Sequence, residues 1–203
     1  MHDTAYEIGQ LFLESYGPAA KSILDIGAID INGSLRDFCP VGSWYVGVDL
    51  GAGKGVNVVV PANSGLPFVA GVFDIVVSTS AFEHDAMFWL TFLEMCRVLR
   101  EGGYLYLNAP SKGGYHQHPI DAWRFFPDAG IALRDWARLN AHEIDLLESF
   151  ITQNKDDIWN DCVMIFGKKA GPAANAVSER YHRAMNIRRW PAVGKLEQRQ
   201  DRW

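Results

Sequence analysis

The sequence is poor in several features that would assign it to a special class of protein. Its 203 residues include only three cysteines, Cys39, Cys96 and Cys162, which are widely separated. An odd number of scattered cysteines in apolar surroundings predicts buried free thiols rather than disulfides. No apolar run approaches the length of a membrane-spanning helix. Residues 1–4 lack the basic and then apolar layout of a secretion signal, so a cytoplasmic protein is expected.

The chain also lacks an excess of positive charge. Its formal net charge is -5, and residues 171–203 hold more Lys and Arg than Asp and Glu, so the preceding body carries the acidic excess. Such a body is poorly suited to wrapping a phosphate backbone, and no nucleic-acid partner is expected. The composition, 48% hydrophobic and 21% charged, is that of an ordinary globular domain. We expect one domain over residues 1–169 and a basic tail over 170–203.

What is present is a strand followed by a glycine-bearing turn. Residues 22–26 form a short apolar run that breaks at Gly27, and Ser34 is suited to cap the short helix that follows. A second apolar strand ends at Asp49, about twenty residues beyond this turn. A strand, a tight turn and a helix start form a typical site for a nucleotide-like ligand. A carboxylate such as Asp49 would accept hydrogen bonds from the two hydroxyls of the ligand's ribose.

The rest of the chain alternates between helices and strands. Residues 4–16 predict a leading helix, and residues 73–79 are apolar throughout, as an interior parallel strand should be. Other predicted elements are strands over 55–60 and 104–108, helices over 35–39, 86–100 and 127–140, and two closing strands over 143–151 and 161–168. This order is typical of an α/β doubly wound domain. A basic helix over 177–189 is expected after a linker-like stretch over 171–176.

Five segments in this order resemble the class I S-adenosylmethionine-dependent methyltransferases, and the nearest match is the type 11 subgroup. The segments are residues 22–36, 44–50, 66–68, 73–84 and 98–107. The resemblance runs from about Ser22 to Phe166. It implies a Rossmann-like, doubly wound, mostly parallel seven-stranded sheet with a C-terminal antiparallel hairpin, whose last strand inserts into the sheet. It also implies S-adenosyl-L-methionine as the cofactor.

Two departures from the family pattern concern the cofactor side. The usual turn reads Asp/Glu-x-Gly-x-Gly-x-Gly, but Ile29 and Ile31 occupy its second and third glycine positions. We interpret the turn as reshaped, with Asn32 and Gly33 accepting positive φ angles. Pro61 stands where relatives often carry an acidic residue, which favours Ala62 and Asn63 as neighbours of the adenine. The candidate cofactor-binding residues are Asp25, Gly27, Ala28, Gly33, Asp49, Leu50, Asn63 and Ser80.

The substrate side is predicted from two histidine-bearing segments. His84 follows the fourth strand at a position that resembles the family's Glu-His pair. After the fifth strand, residues 113–127 resemble a His-Pro-x-Asp-x-Trp-Arg-Phe segment of the subgroup and suit a glycine-hinged substrate lid. His84 and His118 are candidate general bases, because imidazole titrates near neutrality. Candidate substrate-binding residues are His116, Asp121, Trp123 and Arg124.

Two alternatives for the same loop stay open. Asp121 and Arg124 would pair with each other and Trp123 would pack, which leaves one or both histidines structural. Alternatively, His116, His118 and Asp121 form a recognised ligand set for a metal ion, although no metal is expected.

The leading functional hypothesis is methyl transfer to an oxygen or nitrogen of a small molecule, with a sugar-type acceptor among the candidates. A non-catalytic binding module that uses the basic tail is one alternative, and an NAD-dependent oxidoreductase is another. The oxidoreductase requires Gly-x-Gly-x-x-Gly at the first turn, and Ile29 breaks that pattern. The tail is expected to dock on protein, either on its own domain or on a partner subunit in a homodimer, and an anionic surface is the alternative.

Overall fold

The computed structural model describes residues 3–153 and 158–191, which form one mixed sheet with helices on both faces. The strands among these residues are β1 (Ser22–Ile26), β2 (Trp44–Asp49), β3 (Val58–Val59), β4 (Phe73–Thr79), β5 (Leu99–Lys112), β6 (Asp145–Thr152), β7 (Asn160–Gly167) and β8 (Ala184–Arg189). The helices are α1 (Asp3–Tyr16), α2 (Phe88–Val98), α3 (Asp128–Leu139) and α4 (Val177–Arg180), with 3₁₀ turns at Leu35–Phe38 and Phe82–His84.

The sheet has the order β3-β2-β1-β4-β5-β7-β6-β8, and its first five strands are parallel. Every residue of β4 is buried, as its apolar sequence predicts for an interior parallel strand. The strand order reverses between β1 and β4. The chain after β1 continues to β2 on one side, whereas the chain after β4 continues to β5 on the other side. Ligands of doubly wound proteins bind in the crevice at that point, outside the carboxyl ends of the strands.

The other half of the sheet is antiparallel. β7 lies between β5 and β6 and pairs with both in antiparallel register, so the hairpin and its inserted last strand are confirmed. The prediction of seven strands and of a basic helix over residues 177–189 is wrong. Only Val177–Arg180 is helical, and Ala184–Arg189 pairs antiparallel with β6 as an eighth strand. Pairing satisfies backbone groups on the outer edge of β6 that would otherwise be open to another chain.

Two apolar cores lie on the two faces of the sheet. One contains the inner sides of α2 and α3, including Phe92, Met95 and Leu133. The other contains α1 and the tail, where the ring of Phe12 stacks on that of Tyr106 at 4.7 Å between centroids. Burial of these apolar side chains is the main favourable contribution to folding. No helix among residues 3–153 and 158–191 is long and apolar enough to cross a membrane.

The segment over residues 171–191 is attached to the chain's own domain by the pairing of β8 with β6 and by one buried carboxylate. Glu148 of β6 accepts hydrogen bonds from the hydroxyl of Tyr16 at 2.6 Å and from the amides of Val177 and Ser178 at 3.1 and 2.8 Å. The hydroxyl of Ser178 also contacts it at 2.6 Å. Residues 177–189 therefore dock on their own sheet, whereas residues 192–203 lie outside the described part of the chain.

The three cysteines are free thiols, as the sequence predicted. Cys96 and Cys162 are buried in the core, and burial raises the pKa of each to about 12. Cys39 is half-buried. Thiols with raised pKa values carry little thiolate at neutral pH and are unreactive.

Candidate active site at the carboxyl edge of the sheet

The turn after β1 passes close to the segment after β4. Gly27 has φ +82°, and a Cβ placed on it would lie 2.4 Å from the Cβ of Ala81. Its amide donates to the carbonyl of Val48 at 2.9 Å, and the amide of Ala28 shares that acceptor at 3.1 Å. Glycine is therefore required here by backbone conformation and by the close approach of a neighbouring segment.

The rest of the turn is reshaped, as predicted, but only one of the two predicted residues adopts a positive φ angle. Gly33 has φ +110°, whereas Asn32 is not among the residues with positive φ. The amide of Gly33 donates to Asp30 Oδ1 at 2.8 Å, and Ser34 Oγ caps the following turn by accepting from the amide of Arg36 at 3.2 Å. The ring of Tyr6 lies 3.2 Å from where a Cβ on Gly33 would be, so α1 covers this turn.

Asp49 ends β2 beside the turn. Its Oδ2 accepts from the amide of Ile29 at 3.0 Å, and its Oδ1 accepts from the amide of Leu50 at 2.7 Å. A carboxylate offers roughly four lone-pair sites, so this half-buried group retains capacity for further donors. The side chains of Ile29 and Leu50 are 38% and 57% exposed, which leaves apolar surface on either side of the carboxylate.

Sequence reasoning missed the side chains that hold this turn. The guanidinium of Arg36 donates to the carbonyls of Tyr45 and Gly55, both at 3.0 Å, and to Asn57 Oδ1 at 2.8 Å. Lys54 Nζ pairs with Asp30 Oδ2 at 2.6 Å. The glycine-rich loop over 51–57 is thereby joined to the turn after β1. No sequence motif indicated Arg36, because its partners are mostly backbone carbonyls.

Asp25 is buried behind the turn. Its Oδ2 accepts from the hydroxyl of Tyr45 at 2.8 Å. Burial raises the pKa of this carboxyl to about 6, against the lowering effects of the Tyr45 hydrogen bond and the Arg36 charge. Because Asp25 is buried, its proposed role is to support the turn rather than to contact a ligand.

The stability of the protein is expected to depend on the ionisation of Asp25. Because the folded-state pKa of about 6 lies above the unfolded value of roughly 3.9, the native state binds the proton more tightly. The resulting stability is fully present below about pH 4 and is lost as the pH rises through about 6. Between pH 4 and pH 7, the free energy of unfolding of Asp25→Asn should therefore fall by about 2 kcal/mol less than that of the wild type.

Urea unfolding at the two pH values measures this difference. Equal pH dependence in Asp25→Asn and the wild type would contradict the assignment.

Asn63 and Ser80 occupy tight turns. Asn63 has φ +58° in the exposed turn over 61–64, and Ser80 has φ +52° directly after β4. The amide of Ser80 donates to the carbonyl of Asn108 at 2.8 Å. Among the described residues, Thr79 Oγ1 and Asn108 Oδ1 are buried without a hydrogen-bond partner. One left-handed residue, Ser80, and two unpaired polar atoms, on Thr79 and Asn108, thus lie together where β4 ends beside β5, and such features are common at functional sites.

The loop after β5 brings three imidazoles together. The ring of His84 lies 4.9 Å from that of His116 and 6.1 Å from that of His118, measured between centroids. The loop is held on the turn after β4, because the amide of Ala122 donates to the carbonyl of Glu83 at 2.8 Å and the indole of Trp123 to that of Asp85 at 3.0 Å. The two histidine-bearing segments predicted from sequence therefore meet.

The hydrogen bonds of His84 determine which ring nitrogen is available. Its Nδ1 contacts the carbonyl of Ile120, which only accepts, so Nδ1 carries the hydrogen and Nε2 presents a lone pair. Desolvation by burial lowers the pKa of His84, which favours the neutral imidazole. Glu83 next to it is 1% exposed, and burial raises the pKa of its carboxyl to about 8.

Asp121 and Arg124 form an ion pair within the loop. Arg124 Nη1 lies 2.5 Å from Asp121 Oδ1, and Nη2 lies 2.8 Å from Oδ2. The guanidinium lowers the pKa of Asp121 well below its ordinary value, and the amide of His116 donates to the same carboxylate at 2.8 Å. Trp123 packs edge-on against Phe88 at 5.4 Å. These contacts give Asp121, Arg124 and Trp123 a structural part in shaping the loop.

An apolar groove of about 390 Å³ adjoins this loop between α2 and α3. Its walls are largely aromatic, and they include Phe88, Trp89, Trp123, Phe125, Leu133 and Trp136. Aromatic side chains provide large contact areas for apolar or ring-shaped ligands.

Comparison with known proteins shows a match to one family model and a fold shared with several solved structures. Residues 28–107 match the family model described as "Methyltransferase domain". No curated protein matched the chain. The 1,6-didemethyltoxoflavin-N1-methyltransferase of Burkholderia thailandensis, solved with 1,6-didemethyltoxoflavin and S-adenosylhomocysteine, superposes with a TM-score of 0.61 at 17% identity, over 82% of this chain and 77% of that one.

Two further solved structures share the fold. The YcgJ protein of Bacillus subtilis has a TM-score of 0.58 at 17% identity, over 83% of this chain and 99% of that one. The [4+2]-cyclase SpnF has a TM-score of 0.57 at 15% identity, over 82% of each chain. Likeness at this identity concerns the fold, which hosts different reactions. Residues 28–107 thus match a methyltransferase domain model, and the chain shares the Rossmann-like fold of these solved structures over about four fifths of its length.

Proposed function

We propose that this protein transfers a methyl group to an oxygen or nitrogen atom of a small molecule that contains an apolar or aromatic portion. The observation that carries the proposal is the placement of a cofactor-type turn and carboxylate at the ends of β1 and β2, on the sheet edge where three imidazoles cluster after β4 and β5. S-adenosylmethionine supplies a methyl group that is already electrophilic. The protein has to bind the cofactor, align the acceptor atom with its methyl group and exclude water.

The residues at the cofactor side fit an adenosyl ligand. Asp49 is the proposed partner of the ribose hydroxyls, because its carboxylate retains acceptor capacity beyond the two amides that it binds. Leu50 offers exposed apolar surface for the adenine, with Asn63 beyond β3 as a further neighbour. Gly27, Ala28 and Ser80 form the edge proposed to face the methionine portion. Asp25 and Gly33 support the turn from behind.

On the acceptor side, His84 is the proposed general base. Its Nε2 lone pair would take the proton of an acceptor hydroxyl as the methyl group is transferred, or the proton of the ammonium that a neutral amine acceptor becomes on methylation. His118 is more exposed and is the second candidate for this role. The adjoining aromatic groove would hold the apolar portion of the acceptor, since Trp123 of its wall belongs to the same loop as His116 of the imidazole cluster.

The cofactor assignment is tested by replacing Asp49. Asp49→Asn should bind S-adenosylmethionine about 30-fold more weakly, since about 2 kcal/mol of charge-assisted hydrogen bonding to the ribose is lost. Isothermal titration calorimetry measures this, with NAD as the ligand that should not bind.

The control variant is Glu143→Gln, which changes an exposed carboxylate in the turn before β6 and should leave the affinity unaltered. Unchanged affinity in Asp49→Asn would remove the ribose role, and absence of any S-adenosylmethionine binding by the wild type would remove the proposed function.

A further inference from the structure

We propose that Glu83, His84 and His116 form a binding site for a divalent transition-metal ion of the zinc type. Each offers one ligand atom, and these atoms all lie within 4.8 Å of one another. Two imidazoles and one carboxylate are a recurrent ligand set for zinc and related ions, usually with a further position left for water or substrate. This set differs from His116, His118 and Asp121, the alternative that the sequence indicated.

The carboxylate of Glu83 is the second, independent indication. Glu83 is 1% exposed, and its Oε2 has no hydrogen-bond partner among the described residues. Its Oε1 lies 3.6 Å from His84 Nε2, a distance too long for a good hydrogen bond. An unpaired buried carboxyl is costly, and a cation that accepted this group as a ligand would remove the cost.

Both imidazoles are oriented by further contacts of the kind found at metal sites. His84 uses Nδ1 on the carbonyl of Ile120, which leaves Nε2 on the side of Glu83. His116 has its Nδ1 3.3 Å from Asp121 Oδ2, which leaves its Nε2 available. Backbone carbonyls and carboxylates that hold the distal nitrogen of a ligand histidine fix its tautomer and increase its basicity.

The surrounding charge is compatible with a cation. The charge of Arg124 acts on Glu83, and Asp121 neutralises that guanidinium in a two-point ion pair. Zinc ligands at 2.0–2.1 Å from the metal lie roughly 3.4 Å apart. The present spacing of up to 4.8 Å therefore needs a closure of up to about 1.4 Å, which rotation of the partly exposed His116 side chain would supply.

The role of such an ion rests on the proposed function. At the edge where the methyl acceptor is expected, the open coordination position would take the acceptor's oxygen and lower its pKa. His84 would then serve as a metal ligand and His118 would remain as the base.

Metal binding is measured directly on the full chain after treatment with a chelator. Titration with Zn²⁺ by calorimetry and metal analysis after dialysis should give one ion per chain, and Co²⁺ should produce a visible absorption band. Loss of an outer-shell partner typically weakens metal binding about 10–100-fold, so Glu83→Gln and His116→Asn, which each remove a ligand, should weaken it by about 100-fold or more. The exposed His182 gives the control, since His182→Asn should bind as the wild type does.

Thermal unfolding of each variant distinguishes loss of a metal ligand from loss of the fold. Glu83 is buried and His116 is partly exposed, so the His116 variant still tests the site if the Glu83 variant fails to fold. Binding that persists in both Glu83→Gln and His116→Asn, or the absence of stoichiometric binding in the wild type, would overturn the proposal. Calorimetry with S-adenosylmethionine on the same samples reports on the proposed function separately, because Asp49 lies outside this cluster.

Discussion

Replacing Glu148 by alanine is expected to lower the free energy of unfolding by about 4 kcal/mol. The change leaves the hydroxyl of Tyr16 and the amides of Val177 and Ser178 without their buried acceptor. Each buried donor that is left without its acceptor typically costs about 1–3 kcal/mol. The loss should also detach the tail, since the hydroxyl of Ser178 in turn accepts from Arg189 Nε of β8 at 2.8 Å.

Urea unfolding and thermal melts measure the loss, which at this chain length corresponds to roughly 10 °C in Tm. Increased proteolysis between residues 170 and 190 would report the detached tail. Glu179→Ala is the matched control, because Glu179 pairs with the same Arg189 at the surface and should cost less than about 1 kcal/mol. If Glu148→Ala were as stable as Glu179→Ala, the buried carboxylate would not be what fastens the tail.

Replacing Gly27 by alanine is expected to destabilise the fold by about 3 kcal/mol and to weaken cofactor binding. Two separate costs contribute. The φ angle of +82° disfavours any residue with a Cβ by about 1 kcal/mol. The new methyl group would also lie 2.4 Å from Ala81, and such overpacking costs about 2 kcal/mol.

The two costs can be separated with variants that this chain offers. Gly42 has φ +79° and no described heavy atom within 4 Å of its would-be Cβ, so Gly42→Ala should show the conformational cost alone. Combining Gly27→Ala with Ala81→Gly should restore about 2 kcal/mol by removing the clash. A double-mutant cycle by urea unfolding measures this coupling. Additive effects of Gly27→Ala and Ala81→Gly would show that the clash is not what requires glycine.

The strands and their order along the chain were accessible from sequence. Residues 73–79 predicted β4 without error, because an interior parallel strand is apolar on both faces and ends sharply at polar residues. β5 was predicted too short, since its continuation through Pro110 to Lys112 depends on pairing with β7 across a register shift. Local sequence does not carry information on such long-range pairing.

The secondary structure of the C-terminal segment was predicted wrongly from its composition. Arginines at intervals over residues 180–189 predicted a basic helix, but Ala184–Arg189 is a strand. The outcome was decided by the open edge of β6 and by Glu148, which binds the amides at the start of α4. Both lie about thirty residues or more away in sequence, so no local pattern contains them.

The sequence by itself determined the fold class, the glycine corner at Gly27 and the acid at the end of β2, because short-range patterns of apolar runs, turns and strand ends specify them. Only the tertiary structure decided which side chains meet: Glu83 and His84 lie after β4, His116 lies after β5, and parallel strands bring both loops to one edge. The spacing of these residues along the chain has no fixed relation to their distance in space, and the sheet alone sets that distance.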